Sequence, residues 1–250
     1  MLLTLSLFFC QCFAQAFQSL ASTGTDAFLH QLWAQRSGAA ELAVPQMFSV
    51  QLCEHSGTVW MGGYDTASFK GSIAWTPLAS ETYWSVLPYS VSVGGTDLGF
   101  TSASWPVEGR NGGYNIIDSG TTLWELPSNV YAAVRNALIA NPTFQKYFRY
   151  AANDNFFDDP GNSCEYATDS SGKVMTGAQL QKLLPTITVT FANGAAITMD
   201  GLGSYILPCT NSYNQFVSGI AAGSYGGGLL GGWPLLNVRR YAHHLSLIHI

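Results

Sequence analysis

At residue 118 an apolar strand, Tyr114-Asn-Ile-Ile117, runs directly into Asp118-Ser-Gly-Thr-Thr122. The strand fixes the backbone before the carboxylate, and Gly120 lets the turn tighten so that neighbouring groups approach the carboxyl closely. Ser119 and Thr121 bring hydroxyls that can orient Asp118 or lock it against a facing loop. Such donors favour the charged carboxylate and hold it in one rotamer. The pattern Asp-Ser/Thr-Gly-Ser/Thr arises by chance in a chain of 250 residues on the order of 1% of the time. An Asx turn after a strand is the plainer reading of the same residues, so the surroundings of the motif must decide.

Those surroundings read as short strands and tight turns. Hydrophobic residues make up 47% of the chain and charged residues 10%, and there are 26 glycines. That balance supports a sizeable core built from strands, and it is the opposite of a disordered composition. Strands are expected over Met47–Leu52, Thr58–Met61, Gly71–Thr76, Tyr83–Val93 and Tyr114–Ile117, with Gly94-Gly95 reversing the chain after the fourth. Later strands are expected over Thr186–Phe191, Ala195–Met199, Ser204–Leu207 and Phe216–Ile220. Helical periodicity marks Thr25–Arg36, Asn129–Ala140 with Ser128 as N-cap, and Gly177–Leu184 stopped by Pro185. The expected fold is therefore mostly β with two or three short helices, without internal repeats or a low-complexity linker.

Charge and cysteine usage remove several function classes. Ten Lys and Arg residues against fifteen Asp and Glu give a net charge of −5, and no basic stripe forms. Nucleic-acid binding, which needs clustered cations against phosphates, is not expected. The five cysteines, at positions 10, 12, 53, 164 and 209, form no C-x-x-C pair suited to zinc, so neither a metal nor any cofactor is expected. Cys164 and Cys209 flank a strand-rich stretch. They either close a disulfide loop, which implies an oxidising compartment, or remain buried free thiols. Residues 1–16 begin with an apolar run and hold Ala14-Gln-Ala16, a small-x-small cleavage pattern. A signal peptide and an artefactual start are both open there, because the run lacks an early positive charge and is too short to span a bilayer.

The ordered landmarks along the chain resemble the carboxyl-terminal lobe of the pepsin-like aspartic endopeptidases. Phe48-Ser-Val-Gln-Leu-Cys53, followed by Met61-Gly-Gly-Tyr-Asp65, resembles that family's strand pair ending in Gly-Gly-x-Asp. Tyr83-Trp84 and Val91-Ser-Val-Gly-Gly95 match the segment before its second catalytic aspartate. Gly228-Leu-Leu-Gly231 is similar to the late element that passes beside that aspartate. The resemblance covers residues 17–235, leaving 236–250 as an aberrant tail. It implies that Asp118 is one of two catalytic aspartates, that Thr121 hydrogen-bonds its outer oxygen and that Ser119 sits in a grip between lobes. It further implies that Gly120 and Thr122 hold the substrate backbone, that Cys164 bridges Cys209, and that the partner of Cys53 lies outside this chain. The implied substrate is a peptide or protein, and the implied location is the secretory pathway, extracellular or in an acidic endolysosomal or vacuolar compartment. A membrane anchor in a longer protein stays open.

The resemblance also shows what this chain lacks. Aspartic proteases are the standard illustration of two carboxylates sharing one proton, where like charges a few ångströms apart cannot both ionise cheaply. The 250 residues hold no second Asp-Ser/Thr-Gly-Ser/Thr; Asp26, Asp97 and Asp200 read as turn or capping carboxylates. Gln18-Ser-Leu-Ala-Ser22 resembles the end of a missing amino-terminal lobe, so the chain is expected to be an inactive fragment of an endopeptidase. The alternatives are a non-catalytic binding or inhibitory module on the same fold, and a homodimer bringing two copies of Asp118 together. A serine hydrolase lacks its Gly-x-Ser-x-Gly. His243, His244 and His249 in the tail have no carboxylate nearby and are not read as a metal site.

Overall fold

The computed structural model describes residues 5–6, 47–52, 57–68, 72–80, 84–106, 113–118, 120–151, 155–209, 214–223, 227–231 and 246–249. The helix expected over Thr25–Arg36, the segment Gln18–Ser22, Cys53, Ser119, His243 and His244 lie outside the described residues.

The first strands are β1 (Leu5–Ser6), β2 (Met47–Leu52), β3 (Gly57–Met61) and β4 (Leu78–Ser80). Next come β5 (Ser85–Val86), β6 (Pro88–Val93), β7 (Thr96–Asp97), β8 (Asn115–Ile117) and β9 (Trp124–Leu126). Helices α1 (Ser128–Ala140) and α2 (Pro142–Tyr147) follow, then β10 (Glu165–Tyr166) and α3 (Gly177–Leu180). The chain continues through β11 (Ile187–Phe191), β12 (Ala196–Met199), β13 (Ile206–Pro208), β14 (Gln215–Ser218) and β15 (Ile220–Ala222). β16 (Gly228–Leu230) and β17 (Ser246–His249) come last. The architecture is mostly β with three short α-helices among the described residues.

Four sheets form among the described residues, in the orders β1-β3-β2-β17, β10-β14-β13, β12-β11-β6-β7 and β15-β9-β16-β8-β5-β4. Alternation explains the third. Ile187, Val189 and Phe191 of β11 point into the core while Thr188 and Thr190 face outward, and Val189 pairs with Val91 of β6. Gly94 and Gly95 sit at φ +57° and +81°, the left-handed pair that a two-residue hairpin turn demands. Packed against these strands, α1 buries Val130, Val134 and Leu138 at every fourth residue. Phe144 and Phe148 of the next segment stack at 5.0 Å, extending the core towards Phe156, Phe157 and Phe216.

Several boundaries differ from the sequence expectation. Residues 72–77 run without a ladder, so the Gly71–Thr76 strand does not form over its described part. Pro127, not Ser128, occupies the N-cap of α1, and Ser128 is its first helical residue; the proline's fixed φ sets the chain entering the helix. Helix α2 was not foreseen, although Asn141-Pro142 carries its start. The Asn141 side chain accepts from the N–H groups of Thr143 (3.0 Å) and Phe144 (3.1 Å). The helix expected to reach Leu184 ends at Leu180. The strand expected over Phe216–Ile220 divides at Gly219, whose carbonyl takes the Trp124 N–H (2.9 Å) while its N–H bonds Tyr205 O (2.8 Å). A Cβ there would lie 2.9 Å from the Leu207 side chain and 3.0 Å from Ser204 O, so glycine alone lets the chain pass from one sheet to the next.

Candidate active site

The six-stranded sheet builds the site. β8 carries the chain to Asp118, a loop follows, and β9 returns it to the same sheet. β16 threads between these two arms. It pairs in parallel with β8 (Gly228↔Asn115, Leu229↔Ile116, Leu230↔Ile117) and antiparallel with β9 at Leu229↔Glu125. The close approach is possible because the flanking positions are glycine. A Cβ on Gly227 would stand 2.2 Å from Tyr114 O, and one on Gly231 would stand 2.1 Å from Leu123 O and 2.7 Å from Thr121 O. Gly231→Ala is therefore expected to destabilise the fold by about 3 kcal/mol, since backbone cannot yield as a flexible side chain does. Gly63→Ala, where a Cβ meets nothing within 4 Å, is the control and should stay within about 0.5 kcal/mol. Urea unfolding of both variants checks the pair, and equal midpoints for them would refute the threading argument.

From behind, the Asp118 strand is braced by a second hydrophobic cluster. The Ile117 N–H donates to Trp84 O at 2.9 Å. The Trp84 ring meets Phe48 edge-on at 5.2 Å, with Val50, Met61, Leu78 and Ile117 packed around the pair. Met61-Gly-Gly-Tyr-Asp65 leaves β3 at the open end of this strand pair, where the Gly62 N–H donates to Met47 O at 2.7 Å. Gly62 adopts φ +78°, the Ser49 hydroxyl donates to Gly63 O (2.9 Å), and Asp65 accepts from Ala67 N and the Ser68 hydroxyl. Those two donors hold the Asp65 carboxyl below its ordinary value. Asn115 is buried and donates to Pro106 O at 2.7 Å, fixing the start of β8.

Asp118 itself is 7% exposed. Its Oδ1 accepts the Gly120 N–H at 2.8 Å and its Oδ2 accepts the Thr121 hydroxyl at 2.6 Å. Both oxygens are thus held by the loop that follows, and the carboxyl plane is fixed. Gly120 and Thr122 are exposed on that loop, and Thr121 is half-buried. The structure brings Asp118, Gly120, Thr121 and Thr122 together; it does not describe Ser119. Cys164 and Cys209 are joined by a disulfide with their Cα atoms 6.2 Å apart, and Cys209 clusters with Leu207 and Val217, against which Leu123 of the carboxylate loop packs. Asp97 accepts from Gly99 N (3.0 Å) in a hairpin turn. Asp200 is raised by burial and lies near the fully buried Tyr205, whose hydroxyl donates to Pro185 O.

Sequence reasoning overlooked Glu125. It lies between buried Trp124 and Leu126 on β9, so alternation alone could have placed it on the opposite face. Burial first, and then the negative charge of Asp118, hold its carboxyl above the ordinary value of 4.5. The folded chain then binds a proton at Glu125 more tightly than the unfolded chain does. Stability falls as pH rises through the window that opens near 4.5 and extends upward. Glu125→Gln should accordingly raise the melting temperature more at pH 7 than at pH 4. An equal effect at both values contradicts that assignment.

A carboxylate loop split by a threaded strand, at the centre of a mostly-β fold, defines a pepsin-like aspartic protease. Comparison with known proteins agrees. A family model described as eukaryotic aspartyl protease matches residues 13–228, and the chain belongs to that family. It is similar to pepsin A of Rhinolophus ferrumequinum, at 30% identity over 129 residues, and to pepsin A of Suncus murinus, at 28% over 129 residues. Each of these matches covers 50% of this chain and 30% of the relative. Cathepsin E of Oryctolagus cuniculus is 29% identical over 148 residues, covering 57% of this chain and 34% of the relative. The chain thus matches about a third of the length of these relatives.

Proposed function

We propose that this chain is the carboxyl-terminal lobe of an aspartic endopeptidase, with Asp118 as one of the two carboxylates that activate water against a peptide bond. The observation that carries this reading is the grip on Asp118. A buried carboxylate with both oxygens hydrogen-bonded by its own loop keeps one orientation at the end of a braced strand, as general acid–base work requires. Gly120 and Thr122, exposed beside it, hold the backbone of an extended substrate, and Ser119 joins the lobes. The second carboxylate comes from an amino-terminal lobe, because these 250 residues contain a single Asp-Ser-Gly-Thr. The disulfide fits passage through an oxidising, secretory compartment.

The test is lobe complementation. The chain is assayed at acidic pH against a quenched extended peptide, alone and after refolding with an amino lobe bearing Asp-Thr-Gly-Ser. Turnover in the mixture and none in either part is the expected result. Turnover by the chain alone would remove the need for a partner lobe, and sizing chromatography would then show whether two copies of Asp118 meet. A folded mixture without turnover favours the non-catalytic binding module.

A further inference from the structure

The pairing of β16 places a second acid beside Asp118. Leu229 is the register partner of Ile116 on one side and of Glu125 on the other, so these three positions form one row across the sheet. Residues directly opposite one another project to the same face. The other face is the core: Trp124, Leu126, Val86 and Ile117 pack into it, whereas Ile116 joins none of the hydrophobic clusters. Asp118 follows Ile116 by two residues, one position past the end of β8, and its charge acts on Glu125. Two strand spacings separate Ile116 from Glu125, about 10 Å between Cα atoms, a span that an extended peptide crosses in about three residues.

The two carboxylates differ in what they have free. Asp118 has both oxygens committed to Gly120 and Thr121. Glu125 is half-buried and has no hydrogen-bond donor or cation among the described residues; the ion pair found there, Arg135 with Asp158, involves neither acid. Among the described residues no cation offsets this partly desolvated acid, and a cation carried by a ligand would pair with it.

We propose that Glu125 is a specificity-determining residue, selecting peptides that carry Lys or Arg a few positions from the bond facing Asp118. This rests on the protease reading and names the substrate class of the same site. The long aliphatic stem of such a side chain lies along the Ile116 row while its charged end meets the carboxylate.

The experiment compares two extended peptides, identical except for one Lys replaced by norleucine, binding to the full chain at pH 7. The lysine peptide should bind at least about tenfold more tightly, the range of a charge-assisted hydrogen bond in a partly desolvated site. Glu125→Gln should bring the ratio within twofold, while Asp97→Asn, which removes an exposed acid in the β6–β7 turn, should leave it unchanged. Glu125→Ala makes the same charge removal with a smaller side chain and repeats the test if the amide variant does not fold. A wild-type ratio within twofold, absence of binding by either peptide, or loss of the ratio in Asp97→Asn each overturns the inference. None of these outcomes touches the protease reading, which is decided separately by cleavage in the complemented lobes.

Discussion

Asp118→Asn in the complemented two-lobe enzyme is expected to lower kcat by a factor on the order of 10³ to 10⁶, the range seen when a member of a catalytic constellation is removed. Asparagine keeps the shape of the side chain. Its amide oxygen still accepts the Gly120 N–H, and its amide group can donate to the Thr121 hydroxyl, which accepts as well as donates. The substitution removes the group's ability to take a proton from water and to share one with a facing carboxylate. The fold should therefore survive, with thermal unfolding shifted by only a few degrees while turnover is lost. Progress curves at acidic pH, run beside a melting curve, separate the two effects. Activity within tenfold of wild type would mean that Asp118 is not one of the reacting carboxylates.

The disulfide is expected to dominate stability. Cys164 and Cys209 are 45 residues apart, and closing a loop of that length in the unfolded chain amounts to about 4 kcal/mol in the chain-entropy description. The enclosed segment contains β10, α3, β11, β12 and β13, which supply much of the core, including Leu180, Ile187, Met199, Tyr205 and Ile206. A bridge at its two ends restrains a large part of the fold before any strand pairs. The double variant Cys164→Ala/Cys209→Ala should thus lose about 4 kcal/mol, a large share of the stability of an ordinary domain. Denaturant unfolding of the oxidised protein against that variant measures it, and a loss under about 1 kcal/mol would show that the unfolded chain is already compact across this loop. The consequence for function is location: without an oxidising compartment the chain is close to its unfolding threshold.

The stability and the chemistry meet in the threading of β16. A Cβ on Gly231 would collide with the carbonyls of Leu123 and Thr121, and Thr121 holds Asp118. An added methyl group at Gly231 therefore presses on the backbone of the residue whose hydroxyl holds the carboxylate. Activity in Gly231→Ala should fall further than its loss of stability alone would dictate.

Much of the site was legible in the residues themselves. Asp118, Gly120 and Thr121 lie within four positions of one another, and contacts at that range follow from local backbone geometry: an apolar strand, a carboxylate, a glycine, a hydroxyl. The alternating strands β6 and β11, and the Gly94-Gly95 turn, were likewise written in the period of their hydrophobic residues. What tertiary structure decided was everything that depends on distant segments arriving together. Glu125 reads locally as an ordinary charge between two buried residues; only the insertion of Leu229 beside it, over a hundred positions later in the chain, places it in one row with Ile116, two residues before Asp118. Gly219 reads as a strand residue until Ser204 and Leu207 crowd it and the chain must change sheets. Local pattern fixes which side of a strand a residue faces, because the pleat has a period of two. Which strands become neighbours is set by packing summed over the whole core, and no short window of sequence contains that sum.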